Sequence, residues 1–167
     1  GSDGKFNSIA KEAVGMLSGA YQSYKLNNSV SAATGWNDLT PFMNYVKIDT
    51  VTLIDSHYNV GTIGCSTANY TCLVLHNGAR LIYPSGGVLS TFGDTSSTSG
   101  LFFELDPDGK VTSTGAAGTP GKAIQIWLYL NGRITNRGNI FPNSYFGGNG
   151  PHGPEPAFDP PWFSWSN

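Results

Sequence analysis

From Phe6 to Tyr24 the apolar positions Phe6, Ile9, Ala10, Ala13, Leu17, Ala20, Tyr21 and Tyr24 recur at steps of three and four. That spacing predicts one amphipathic helix with a single buried face. Gly15 and Gly19 interrupt it, each costing about 1 kcal/mol relative to alanine, so the helix needs a packing partner and is expected to lie on a sheet. Lys25 suits the negative end of the helix, and Asn27-Asn28-Ser29 supplies a stop. A second, short helix is predicted over 38–46, with Asn37 or Thr40 as cap, Pro41 in the first turn and Leu39, Phe42, Met43 and Val46 on one face.

Beyond residue 50 the pattern changes to β-branched and aromatic runs of strand length: 51–54, 73–75, 79–83, 101–105 and 124–130. Between them, His76-Asn77-Gly78, Asp106-Pro107-Asp108-Gly109 and Asn131-Gly132 carry the residues that accept positive φ, and three tight hairpins are predicted. Residues 84–100 and 112–121 are nearly all glycine, serine, threonine and other small residues, and read as surface loops. Helices followed by hairpin-linked strands predict an α+β fold, with the N-terminal amphipathic helix packed on an antiparallel β-sheet.

The chain of 167 residues is long enough for one domain with its own core. We divide it into residues 1–5, a tag or truncation remnant opening on the cloning-type dipeptide Gly1-Ser2, a globular unit at 6–139, and a Gly/Pro/aromatic tail at 140–167 that wraps the same domain. Charged residues make up 12% of the chain, and 9 basic side chains face 11 acidic ones. That balance lacks the basic footprint of a nucleic-acid binder, and no such partner is expected. Cys65 and Cys72 in a Ser/Thr/Asn-rich stretch fit one short disulfide loop, with two unpaired thiols as the alternative.

The order of elements resembles the globular head of a type IV pilin or a type II secretion pseudopilin. The resemblance rests on the stretch from Lys11-Glu12-Ala13-Val14 to Tyr24, on Leu39-Thr40-Pro41-Phe42, and on a pair of phrases. One is Phe102-Phe103-Glu104-Leu105-Asp106-Pro107-Asp108-Gly109-Lys110, the other Trp127-Leu128-Tyr129-Leu130-Asn131-Gly132-Arg133-Ile134. It implies a non-catalytic filament subunit, major or minor, with Phe6, Ile9, Ala13, Leu17, Tyr21 and Tyr24 on the helix that continues an apolar, membrane-anchoring segment lying upstream. The implied partners are other pilin or pseudopilin subunits and, before assembly, the inner membrane. The implied location is the bacterial cell envelope, in the periplasm or at the cell surface once in the filament, and the isolated head is expected to be a monomer. The family's Glu-bearing N-terminal segment is not part of this sequence, and its usual C-terminal disulfide loop differs in position from Cys65 and Cys72.

Candidate chemistry is sparse. His57, His76 and His152 lie far apart with no metal-ligand spacing, no nucleophile or phosphate-loop motif occurs, and no enzymatic activity is expected. No cofactor is expected either; Asp106 and Asp108 have a spacing that starts like a calcium loop without its closing glutamate, which leaves calcium as the alternative to a hairpin turn that explains the Asp-Gly step fully. Some pseudopilin heads bind calcium near the end of the sheet, which the resemblance extends to this pair. Asn27 and Asn69 sit in acceptor patterns for N-glycosylation that chance supplies in so Asn-rich a chain, and Lys110, Lys122, Arg133 and Arg137 gather near the second phrase, as a local basic patch or, more simply, a solvated edge or subunit-contact set. In the tail, Phe158 is assigned to the wrap and Trp162 and Trp165 to a partner. An exposed aromatic tail also supports a reading from another class, a secreted β-rich module that binds a glycan or a surface.

Overall fold

The computed structural model describes residues 2–56, 61–65, 70–84, 91–93, 100–107, 109, 124–136, 149–150 and 153–154. One long helix, α1 (Ser2–Lys25), is followed by the short α2 (Trp36–Leu39) and a 3-10 turn at Thr40–Phe42. Strands β1 (Lys47–Asp49), β4 (Tyr70–Val74), β5 (Arg80–Pro84), β6 (Gly100–Asp106), β7 (Ile124–Tyr129) and β8 (Ile134–Asn136) form a six-stranded sheet in the order β1-β4-β5-β6-β7-β8. Every neighbouring pair is antiparallel. A separate hairpin joins β2 (Leu53–Ser56) to β3 (Gly61–Gly64), and two-residue strands β9 (Asn149–Gly150) and β10 (Gly153–Pro154) pair with each other. The fold is α+β.

The helical periodicity is realised as expected. Ile9, Ala10, Ala13, Leu17, Ala20 and Tyr21 are buried in one core with Leu73, Leu81, Leu101, Phe103, Leu105, Ile126 and Leu128 of the sheet. The register explains which strand residues take part: Leu73 lies opposite Leu81, Leu81 opposite Leu105, Phe103 opposite Ile126 and Leu101 opposite Leu128. Residues opposite one another in a sheet share a face, so one alternating set from each strand meets the helix. Trp36 completes this layer, its indole stacked on Tyr83 and its Nε1 donating to the Phe102 carbonyl at 2.9 Å.

The sheet is covered on its far face as well. Cys72, Ile82, Phe102, Glu104, Asp106, Trp127 and Tyr129 belong to the other alternating set and are buried. The described part of their cover is the β2–β3 hairpin, which approaches β6, together with Cys65, which packs with Cys72 and Ile82.

Several expectations change in detail. The second helix ends at Leu39 and passes into a 3-10 turn, so 43–46 is not helical. Its start is fixed by Asp38, whose Oδ2 accepts the Gly35 amide hydrogen at 2.9 Å, while Thr40 stands at its end with Oγ1 donating to the Trp36 carbonyl. The strand expected at 51–54 begins at Leu53 and pairs with β3 in a hairpin apart from the main sheet.

Two of the three predicted hairpins form, each with three residues between its last paired positions. Leu75 N donates to the Ala79 carbonyl and Tyr129 N to the Arg133 carbonyl, and Gly78 and Gly132 take φ of 88° and 89°. Asn77 and Asn131 act identically, each side-chain oxygen accepting the amide hydrogen two residues on. The third does not form. Leu105 pairs with Ile124, so Asp106-Pro107-Asp108-Gly109 opens the long connection between β6 and β7. The loop expected at 84–100 yields a core residue, Phe92, because its backbone is held by hydrogen bonds from Phe92 N to Thr34 O and from Gly93 N to Ala32 O.

Candidate functional site

The helix residues singled out from the sequence are used within the chain. Ile9, Ala13, Leu17 and Tyr21 are buried against the sheet, and Phe6 and Tyr24 pack half-buried at its margin, Tyr24 edge-on to Phe42. From Lys5 onward Ile9 is the first fully buried position of α1, and Phe6 before it is half-buried against the same core. At the other end Tyr21 locks the helix to the β7–β8 turn: its hydroxyl donates to the Leu130 carbonyl at 2.7 Å and its ring lies against Gly132. Burial pushes the Tyr21 phenol above its ordinary value, and Lys25 sits over the ring at 5.3 Å.

Cys65 and Cys72 form a disulfide with Cα atoms 5.5 Å apart. Cys65 is anchored a second time, its amide donating to the Thr52 carbonyl at 2.9 Å. The bond ties the end of the β2–β3 hairpin to a central strand of the main sheet, on the face away from α1.

That far face carries charge the sequence did not reveal. Asp49 is buried at the end of β1, and its Oδ2 accepts from Arg80 Nε at 2.9 Å. Its Oδ1 accepts the amide hydrogens of Val51 at 2.9 Å and Thr52 at 3.1 Å. Burial alone would raise the Asp49 carboxyl, but the hydrogen bonds from Thr52, Val51 and Arg80 outweigh it and hold the group well below the usual carboxylate range. No motif marks this site, because Asp49 and Arg80 are brought together only by the order β1-β4-β5.

Asp106, the first of the two possible calcium ligands, is fully buried at the end of β6, opposite Arg80. Asp108 lies outside the described residues. Gly109 packs so closely that a Cβ there would run into the Gly78 carbonyl oxygen. Among the described residues no three His, Cys, Asp or Glu side chains are grouped to hold a metal ion. Trp162, Trp165 and Phe158, together with His57, His152, Asn69, Lys110, Lys122 and Arg137, also lie outside the described residues, while Asn27 and Arg133 are exposed.

A shallow cleft of about 130 Å³ opens between α1 and the β4–β5 turn, floored by Ala13, Met16 and Leu75. Its polar rim is internally satisfied: Asn77 Nδ2 donates to Glu12 Oε2 at 3.1 Å, and His76 Nε2 lies 3.0 Å from Asn44 Oδ1. It presents neither a nucleophile with a base nor a converging set of open donors. Among the described residues no helix is long and apolar enough to cross a membrane. No protein-family model, no curated protein and no solved structure matches the chain.

Proposed function

We propose that this chain is the head domain of a pilin-like or pseudopilin-like subunit, a non-catalytic component of a bacterial type IV pilus or type II secretion filament. The observation that carries the reading is the way α1 is held. From Ile9 to Tyr21 its apolar face is sealed onto the sheet, with Phe6 and Tyr24 half-buried against the same core. A head built like this holds a long helix by one face from Phe6 to Tyr24, as a filament subunit does in joining a globular domain to a packed helical core.

Two further features support it. The Cys65–Cys72 disulfide suits a domain that works in an oxidising compartment such as the periplasm or cell surface. The far face is covered in part by the β2–β3 hairpin, and its Cys72, Ile82, Phe102 and Trp127 are buried, so the sheet is not left as a sticky surface. In this reading cytoplasmic motor ATPases drive assembly, and the chain contributes shape and contacts rather than catalysis.

The test is fractionation of the source cells with an antibody to this domain. The reading expects the chain in the sheared filament fraction, and its disappearance from that fraction when the assembly ATPase is deleted. Recovery only as free secreted protein, independent of the ATPase, overturns it and promotes the secreted binding module.

A further inference from the structure

β1 and β4 pair as far as Asp49 opposite Cys72, and the same two stretches of chain pair again beyond that point, from Leu53 opposite Gly64 to Ser56 opposite Gly61. The β2–β3 hairpin is therefore the outer half of one antiparallel ribbon whose inner half is β1 and β4. Between the two halves the returning chain spends more residues than the outgoing chain. Unequal lengths on the two sides of a ladder bend it, and here the outer half leaves the main sheet and approaches β6 on the face away from α1. The hairpin is an arm on a hinge.

Two pins hold that hinge. On the outgoing side Asp49 accepts the amide hydrogens of Val51 at 2.9 Å and Thr52 at 3.1 Å and is itself tied to Arg80 of β5. On the returning side the disulfide joins Cys65, next to the last residue of β3, to Cys72 within β4. The Cys65 amide also donates to the Thr52 carbonyl at 2.9 Å, which links the two sides. Of the two pins, only the disulfide depends on the redox state of the surroundings. Cys65, Cys72 and Ile82 form a buried cluster of their own, apart from the core that α1 seals, so the covalent pin and the helix layer do not share their packing.

We propose that the β2–β3 hairpin is a redox-controlled strap: the Cys65–Cys72 bond locks it over the far face of the sheet, and reduction lets it swing away about Val51–Thr52 while the layer of α1 and the main sheet stays folded. The reductant is a dithiol. Its thiolate attacks one sulfur to give a mixed disulfide, and its second thiol then displaces the other. Two electrons and two protons end on Cys65 and Cys72, and the dithiol leaves as a disulfide. A two-stranded hairpin alone in water is marginally stable at best, so the released arm loses its ladder. The strap lies down where thiols are oxidised and is free where they are kept reduced, which ties completion of the far face to the compartment. This does not rest on the filament reading, because it concerns the ribbon and the bond alone.

The experiment is hydrogen exchange, read segment by segment by mass spectrometry, on the oxidised chain, on the chain reduced with dithiothreitol, and on Cys65→Ala/Cys72→Ala without reductant. In the oxidised chain the ladder amides of Leu53–Ser56 and Gly61–Gly64 are expected to be protected. In both unlinked forms they are expected to exchange at the rate of unfolded chain, while α1 and β5–β7 remain protected. Reoxidation of the reduced chain is expected to restore the protection of the arm. Arm amides that stay as protected as those of β5–β7 in both unlinked forms overturn the proposal, because the chain then holds the arm without the bond. Loss of protection in the arm and in α1 together overturns it as well, because the bond then secures the whole domain rather than a strap.

Discussion

Replacing Asp49 with alanine removes three interactions at once. The carboxylate accepts from Arg80 Nε at 2.9 Å and from the amides of Val51 and Thr52 at 2.9 and 3.1 Å, and its side chain is 4% exposed against 17% for Arg80. Breaking a buried ion pair by deleting one partner costs about 3–5 kcal/mol when the other charge is stranded away from water. Arg80 keeps some solvent contact and a hydrogen bond from its Nη1 to the Gly78 carbonyl, so the lower part of that range applies, about 3 kcal/mol. Urea unfolding of Asp49→Ala against wild type reads this directly as a lower midpoint.

The pH dependence supplies an independent check. The Asp49 carboxyl is held below its ordinary value in the folded chain, so its contribution is complete above pH about 4 and is lost as pH falls through the folded-state value. The deficit of Asp49→Ala should shrink in acid for the same reason. In a double-mutant cycle with Arg80→Met, the two losses should sum to more than the loss in the double mutant, by about 1 kcal/mol or more. A loss under about 0.5 kcal/mol for Asp49→Ala, the range of an ordinary surface change, would refute the reasoning.

Three other substitutions follow from local geometry. Gly15 and Gly19 face open space on the outer side of α1, so alanine at each should raise stability by up to about 1 kcal/mol, read as a higher thermal midpoint. Gly132→Ala should destabilise by more than about 1 kcal/mol, because the residue sits at φ +89° and its new Cβ would come within 2.7 Å of the Tyr21 ring; urea titration checks it. Reducing the Cys65–Cys72 bond opens a short loop and should cost about 2 kcal/mol, measured as the shift in urea midpoint with and without reductant.

What could be read from the sequence was whatever is encoded locally. The helix from Phe6 to Tyr24 is announced by its own spacing, and the structure extends it only to Ser2–Lys25. The two Asn-Gly turns carry their geometry in two residues, and both form. The Asp106–Gly109 phrase looks the same at that range, yet the partner of Leu105 is Ile124, and nothing near residue 106 records a pairing made so far along the chain. Phe92 was hidden for the opposite reason, as a lone aromatic in a run of small polar residues whose placement depends on backbone bonds to residues 32 and 34. The disulfide was legible from cysteine spacing. The Asp49–Arg80 pair was not, since it exists only once β4 separates β1 from β5.

The central claim is that this domain is the head of a filament subunit, and the most direct measurement is the sequence of the native gene upstream of the codons for α1. The account predicts an apolar helix of about 20 residues running in phase into α1, with a glutamate near its start and a short basic leader ending in glycine before it. A conventional signal peptide leading into α1, or a further soluble domain in that place, would contradict it.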